Sequence, residues 1–172
     1  MNLDEPKLWT PQGFREDEWQ RGSDDDVQGS NSRLILSLEN FLALPELTRR
    51  DAAERLGVEV APGEQLEALL PYLDQLPLVA LSFPAFNDGR SYSKATLLRT
   101  RYGFTGALRA TGDILIDQVP HMLRCGFSEF EVRNHVAIAR LSANNPGIIS
   151  YHYQPAALDA GPERYAWRRV RA

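Results

Sequence analysis

With 172 residues, 43% of them hydrophobic, and a net charge of -4, the chain is long enough for one core; a domain of this size removes about 70% of its unfolded surface from water. No apolar run reaches the roughly 18 residues that span a bilayer, and MNLDEPKLWTPQ has neither a basic start nor an apolar signal core, so a cytoplasmic protein is expected. A single cysteine, Cys125, excludes an internal disulfide and is too few for an iron–sulfur cluster or a cysteine-built zinc site, and the acidic balance argues against nucleic acid as the main partner.

Residues 1–31 carry eight acids against three bases and end in Gly, Ser and Asn, the composition of a mobile, irregular acidic arm. Trp9, Phe14 and Trp19 are its docking groups, toward either the body or a partner. Leu34-Ile35-Leu36 reads as a strand, followed by a helix from Ser37 to Leu44 whose capping box is incomplete because Asn40 stands where Glu or Gln belongs. After Pro45, Glu46 to Leu56 reads as a short helix with Gly57 at its C-terminal cap. Val58 and Val60 suggest a short strand and Pro62-Gly63 a turn. Leu66, Leu69, Leu70 and Leu73 recur at helical spacing, with a kink or break expected at Pro71.

Leu78 to Phe83 is apolar on both faces, as a central parallel strand should be. A helix over Ser91–Tyr102 follows, capped by Ser91 or Ser93 and ended by Gly103. Ala107–Thr111 is the next strand, and Asp117 caps a helix through Arg124 that Gly126 ends. Phe127–Val132 is a further strand, Asn134 caps a helix to about Leu141, and residues 147–153 supply a last strand. The alternation predicts an α/β fold with a mainly parallel sheet built from βα units over residues 32–154, either an open three-layer sheet or a partial barrel. Residues 155–172 form a basic tail.

In such folds ligands collect beyond the carboxyl ends of strands. Asp88, Arg90, Tyr92 and Ser93 follow one strand, where backbone N–H groups and a guanidinium could receive an oxyanion; the structural alternative is that they build the turn and cap the helix. Arg109, Asp113, Asp117 and Gln118 lie at the end of the next strand and the start of its helix, so a small-molecule enzyme or sensor that binds an oxyanion between Arg90 and Arg109 is the alternative expectation. Asp113 and Asp117 are candidates for acid–base work, or else simply a turn residue and a cap. Lys94, Arg99 and Arg101 lie on the intervening helix; residues 86–113 hold five bases against two acids, a local +3 that could steer an acidic partner. The three histidines lack metal-ligand spacing, and neither G-x-G-x-x-G nor G-x-x-x-x-G-K-[ST] occurs, so no metal site or cofactor is identifiable and any redox cofactor is expected to come from a partner.

Three ordered blocks, FNDGRSYSKATLLRTRYGF, GALRATGDILIDQ and RCGFSEFE, resemble the bacterial family called domain of unknown function 934, over roughly residues 33–154. Such proteins usually have Glu where this chain has Ala107, so that carboxylate is not expected to be essential. The resemblance implies a genomic setting beside a sirohaem-dependent sulfite reductase. From it follow the expected function, an accessory protein of assimilatory sulfate and sulfite reduction, and the expected partners, the reductase haemoprotein or a ferredoxin-like electron carrier.

Overall fold

The computed structural model describes residues 5–29, 31–85, 87–143 and 146–147. Within them lie the strands β1 (Lys7–Thr10), β2 (Gly13–Arg15), β3 (Trp19–Arg21), β4 (Arg33–Ser37), β5 (Leu56–Val60), β6 (Leu78–Phe83), β7 (Ala107–Gly112) and β8 (Glu129–Val132). They form one sheet in the order β2-β1-β8-β7-β6-β5-β4-β3. Neighbours from β3 to β8 pair in parallel, while β1 runs antiparallel to β8 and to β2.

The sheet is a curled half-barrel, which resolves the choice the sequence leaves open. Strands β2 and β3 are its two outer members, seven spacings apart, or about 34 Å if the sheet were flat. Residues 16–18 nevertheless connect them, and the four chain steps from Arg15 to Trp19 reach at most about 14 Å. Only a sheet whose edges turn toward one another permits this. Arg21 of β3 accordingly reaches Glu131 of β8 at 3.1 Å, although four strands lie between them in the sheet.

The helices α1 (Asp24–Gly29), α2 (Leu38–Ala43), α3 (Glu46–Asp51), α4 (Arg90–Thr100), α5 (Val119–Cys125) and α6 (His135–Ser142) lie in the segments between and after the strands. Among the described residues none is long and apolar enough to cross a membrane. The main core lies between helices and sheet, where Leu36, Val58, Leu81, Leu108 and Phe130 of successive strands meet Phe41, Leu98 and Met122 of the helices. Period-two alternation sends the other residues of each strand to the concave side. There Ile35, Leu78 and Ala80 are buried with Trp19 and Ala107 against them. Gly57 makes room for this plug: a Cβ at that position would stand 2.8 Å from Leu78 Cδ2 and 3.2 Å from Trp19 Cζ3.

Several expectations are corrected. Residues 7–29 are not an irregular arm: Trp9 packs on Phe130 with ring centroids 5.4 Å apart, and the three N-terminal strands complete both edges of the sheet. Burial of those aromatic rings outweighs the disorder that local acidity favours. Gly57 caps no helix, because α3 stops at Asp51, a 3-10 turn takes Ala53–Arg55, and Leu56 and Gly57 open β5. Leu66–Gln75 is a 3-10 helix running through Pro71. Neither Ser91 nor Ser93 caps α4; the buried Ser91 hydroxyl instead donates to the Ser82 carbonyl at 2.7 Å. Asp117 caps nothing, since Gln118 holds the N-cap position of α5 and accepts from the Leu115 N–H. The strand expected at residues 147–153 and the basic tail lie outside the described residues, apart from Gly147.

Two caps are as expected. Ser37 Oγ accepts from Asn40 N at 3.1 Å without a reciprocal carboxylate, and Asn134 Oδ1 accepts from Val136 N and Ala137 N at 2.9 and 3.1 Å. Asn134→Ala should therefore lower stability by about 1 kcal/mol, read as a thermal midpoint about 2–4 °C lower.

Candidate functional site

The parallel register stacks the inward-facing residues in layers. Trp19, Ile35, Gly57 and Leu78 form the apolar plug. Toward the carboxyl ends of the strands the same face turns polar: Arg21, Glu59, Arg109, Thr111, Glu129 and Glu131 converge there, joined by Arg15 and by Asp17 of the β2–β3 connection.

Arg109 is fully buried at the centre. Its Nη1 and Nη2 donate to the two carboxylate oxygens of Asp17 at 2.7 and 3.0 Å, and its Nε donates to Glu129 Oε2 at 2.9 Å. Glu131 Oε1 stands 3.5 Å from Nη1. Arg15 donates to the second oxygen of Glu129. Arg21 bridges Glu131 and Glu59, each at 3.1 Å, and the Thr111 hydroxyl donates to Glu59 at 2.6 Å. Burial opposes the charge on Arg21, but the hydrogen bond it donates to Glu59 and the field of Glu131 outweigh it and raise the guanidinium pKa. At Arg109 burial is likewise outweighed, by Asp17 and Glu129. Both groups are permanent cations, as guanidinium chemistry requires.

The layer is graded in exposure. Arg109, Glu129 and Glu131 are almost inaccessible, whereas Glu59 is 26% and Arg21 47% exposed. A ligand entering from the strand ends therefore meets Glu59 and Arg21 first, with the buried Thr111 hydroxyl holding Glu59 from behind. The arrangement can accept and donate hydrogen bonds to a polar molecule from fixed positions. Among the described residues no three His, Cys, Asp or Glu side chains are grouped to hold a metal ion.

The residues singled out from sequence are dispersed. Asp88 and Arg90 form an ion pair at 2.6 Å, which holds the Asp88 carboxyl down at about 2, and Asp88 also accepts from the Arg90 N–H. The exposed Ser93 lies on α4, and Asp113 and Asp117 are exposed in the β7–α5 loop. Strands β6 and β7 are indeed neighbours, with Asp113 N donating to Phe83 O at 2.8 Å, so their loops leave side by side. Arg90 and Arg109 are nonetheless not joined in one pocket. Arg109 points into the half-barrel and is committed to three carboxylates, while Arg90, 62% exposed, pairs with Asp88 outside it. The local +3 is also not one face. Lys94 Nζ donates to the Ala61 and Glu64 carbonyls and burial lowers its pKa, and Arg99 holds the carbonyls of Phe104, Gly106 and Gly126. Arg101 lies over Tyr102.

Tyr92 stacks between Phe83 and His121, with centroids 5.1 and 4.7 Å away; burial, with the fields of Cys125 and Asp117, raises its hydroxyl to about 12. His121 Nε2 is 3.8 Å from Cys125 Sγ, and burial raises the thiol's pKa, which disfavours the reactive thiolate. Burial, then Arg124, lowers the pKa of His121. The unfolded chain thus takes up a proton there that the folded chain resists. This contribution to stability is whole above about pH 6.5 and is lost as pH falls through the folded-state value. Thermal midpoints measured from pH 7.5 to 5.5 should fall less steeply for His121→Gln than for the wild type.

Sequence reading missed Glu59, Glu129 and Glu131 and assigned Asp17 and Arg21 to the arm. One signal was available: L-G-V-E-V, L-R-A-T and E-F-E-V each alternate apolar residues with non-apolar ones, which marks strands with one polar face rather than the two apolar faces of a three-layer sheet. No curated protein matches the chain. The model of the family described as "Bacterial protein of unknown function (DUF934)" matches residues 57–163, which takes in Glu59, Arg109, Thr111, Glu129 and Glu131 but leaves out Asp17 and Arg21. With more than half of its length matched, the chain belongs to the DUF934 family.

Proposed function

We propose that the protein is an accessory factor of assimilatory sulfite reduction whose working site is the polar layer on the concave face. The pathway rests on the resemblance of the three sequence blocks. The site rests on one observation: a buried guanidinium and its carboxylates line the concave face of a mainly parallel sheet and present the partly exposed Glu59 and Arg21 to solvent, on a fold of βα units, which bind their ligands beyond the carboxyl ends of the strands. In this reading the protein works beside a sirohaem sulfite reductase or the ferredoxin-like carrier that feeds it, and contributes a binding site rather than a redox centre.

The test is complementation in a strain lacking the protein. Growth should slow with sulfate as sulfur source and stay normal with cysteine; the wild type should restore it, and Glu59→Gln, expressed to the same level, should not. Normal growth of the deletion strain on sulfate rejects the pathway. Full restoration by Glu59→Gln rejects the site. Tagged protein from sulfate-grown cells should also retain the reductase haemoprotein or the carrier.

A further inference from the structure

We propose that residues Glu16–Glu18 are a strap that covers and uncovers the buried Arg109 end of the concave site, latched by the ion pair between Asp17 and Arg109. The inference rests on the site assignment above but not on the pathway. The strap crosses from β2 at one edge of the half-barrel to β3 at the other, over the polar floor. Among the described residues its hydrogen bonds to the floor come from one side chain: both Asp17 oxygens accept from Arg109, and one of them also accepts from Trp19 N.

The floor is built so that the strap can leave it. With Asp17 lifted away, Arg109 keeps Glu129 at 2.8 Å and Glu131 at 3.5 Å, and Thr111 keeps Glu59 at 2.6 Å. No buried group on the floor is orphaned, so opening avoids the large penalty of an unpaired interior charge. The remaining ties of the segment are ion pairs with exposed members: Arg33 with Glu18 at 2.9 Å, and Arg15, about half exposed, with Glu129. Such ties are screened by salt. Beside the floor a cavity of about 100 Å³, lined by Leu8, Arg15, Asp17, Trp19 and Arg33 among others, shows that the strap is not packed down along its whole length. The two ends are fixed, by β2–β1 pairing on one side and by Trp19 within the apolar plug on the other. Motion is thereby confined to the connection.

A glutamate-specific protease applied under native conditions tests this without any ligand. The bonds after Glu16 and Glu18 should be cut at least about tenfold faster in Asp17→Asn than in the wild type, the weight of a charge-assisted hydrogen bond. Raising the salt concentration should accelerate cleavage of the wild type more than of the variant. The proposal is overturned if Asp17→Asn is cut no faster, or if these bonds are cut only in step with those after Glu129 and Glu131 inside the sheet. Either result leaves the complementation experiment free to succeed.

Discussion

Arg109→Met should destabilise the protein by about 3–5 kcal/mol, because it leaves Glu129 and Glu131 buried without their shared cation and removes the guanidinium from which both Asp17 carboxylate oxygens accept. For a chain of this length that corresponds to a fall of about 6–20 °C in thermal midpoint. The loss comes from charges left behind, not from lost packing, since Met fills a similar volume. Adding Asp17→Asn and Glu129→Gln to Arg109→Met should therefore recover a substantial part of it. Arg109→Lys should fall in between, as one ammonium cannot fork toward several carboxylates. Urea unfolding of the four proteins decides the matter. A loss below about 1 kcal/mol for Arg109→Met would mean that water reaches this cluster and that it behaves as a surface ion pair.

Gly112→Ala should cost more than about 3 kcal/mol, adding backbone strain at positive φ to steric overlap. Gly112 ends β7 with φ +93°, and a Cβ there would stand 2.3 Å from Phe83 O and 2.9 Å from Phe83 C. Both are backbone atoms of a buried strand and cannot swing aside. The same contact region carries the hydrogen bond from Asp113 N to Phe83 O, so the two strand ends that flank the site should separate. Gly103→Ala is the control: its φ is +65° but nothing lies within 4 Å of its Cβ position. It should cost only about 1–2 kcal/mol. Equal losses in the two variants would show that the Phe83–Gly112 approach is not tight.

The strap and the ionic floor place the N-terminal residues in a role that their composition hides. Asp17 and Arg21 belong to an acidic stretch that reads as solvated, yet each holds a charge from a distant strand: Asp17 that of Arg109 and Arg21 those of Glu59 and Glu131. Charge counting over a window treats every ionised group as an independent, exposed site. The same limitation misassigned the bases of residues 86–113, where Lys94 and Arg99 are spent on backbone carbonyls of neighbouring loops.

By itself the sequence determined the α/β class, the strands from Leu34 to Val132 and the helix ends marked by Gly103, Gly126 and Asn134, because these depend on local periodicity and on backbone conformations that few residues adopt. It also marked where ligands are sought, beyond the carboxyl ends of the strands. Only the tertiary structure decided that the sheet curls, that residues 7–21 supply both of its edges, and that Arg109 faces inward to Asp17, Glu129 and Glu131 rather than outward to Arg90. Those outcomes depend on contacts between residues as many as 114 positions apart, as in Arg15 with Glu129. The inner or outer direction of a strand residue follows from the closure of the whole sheet, which no local window contains.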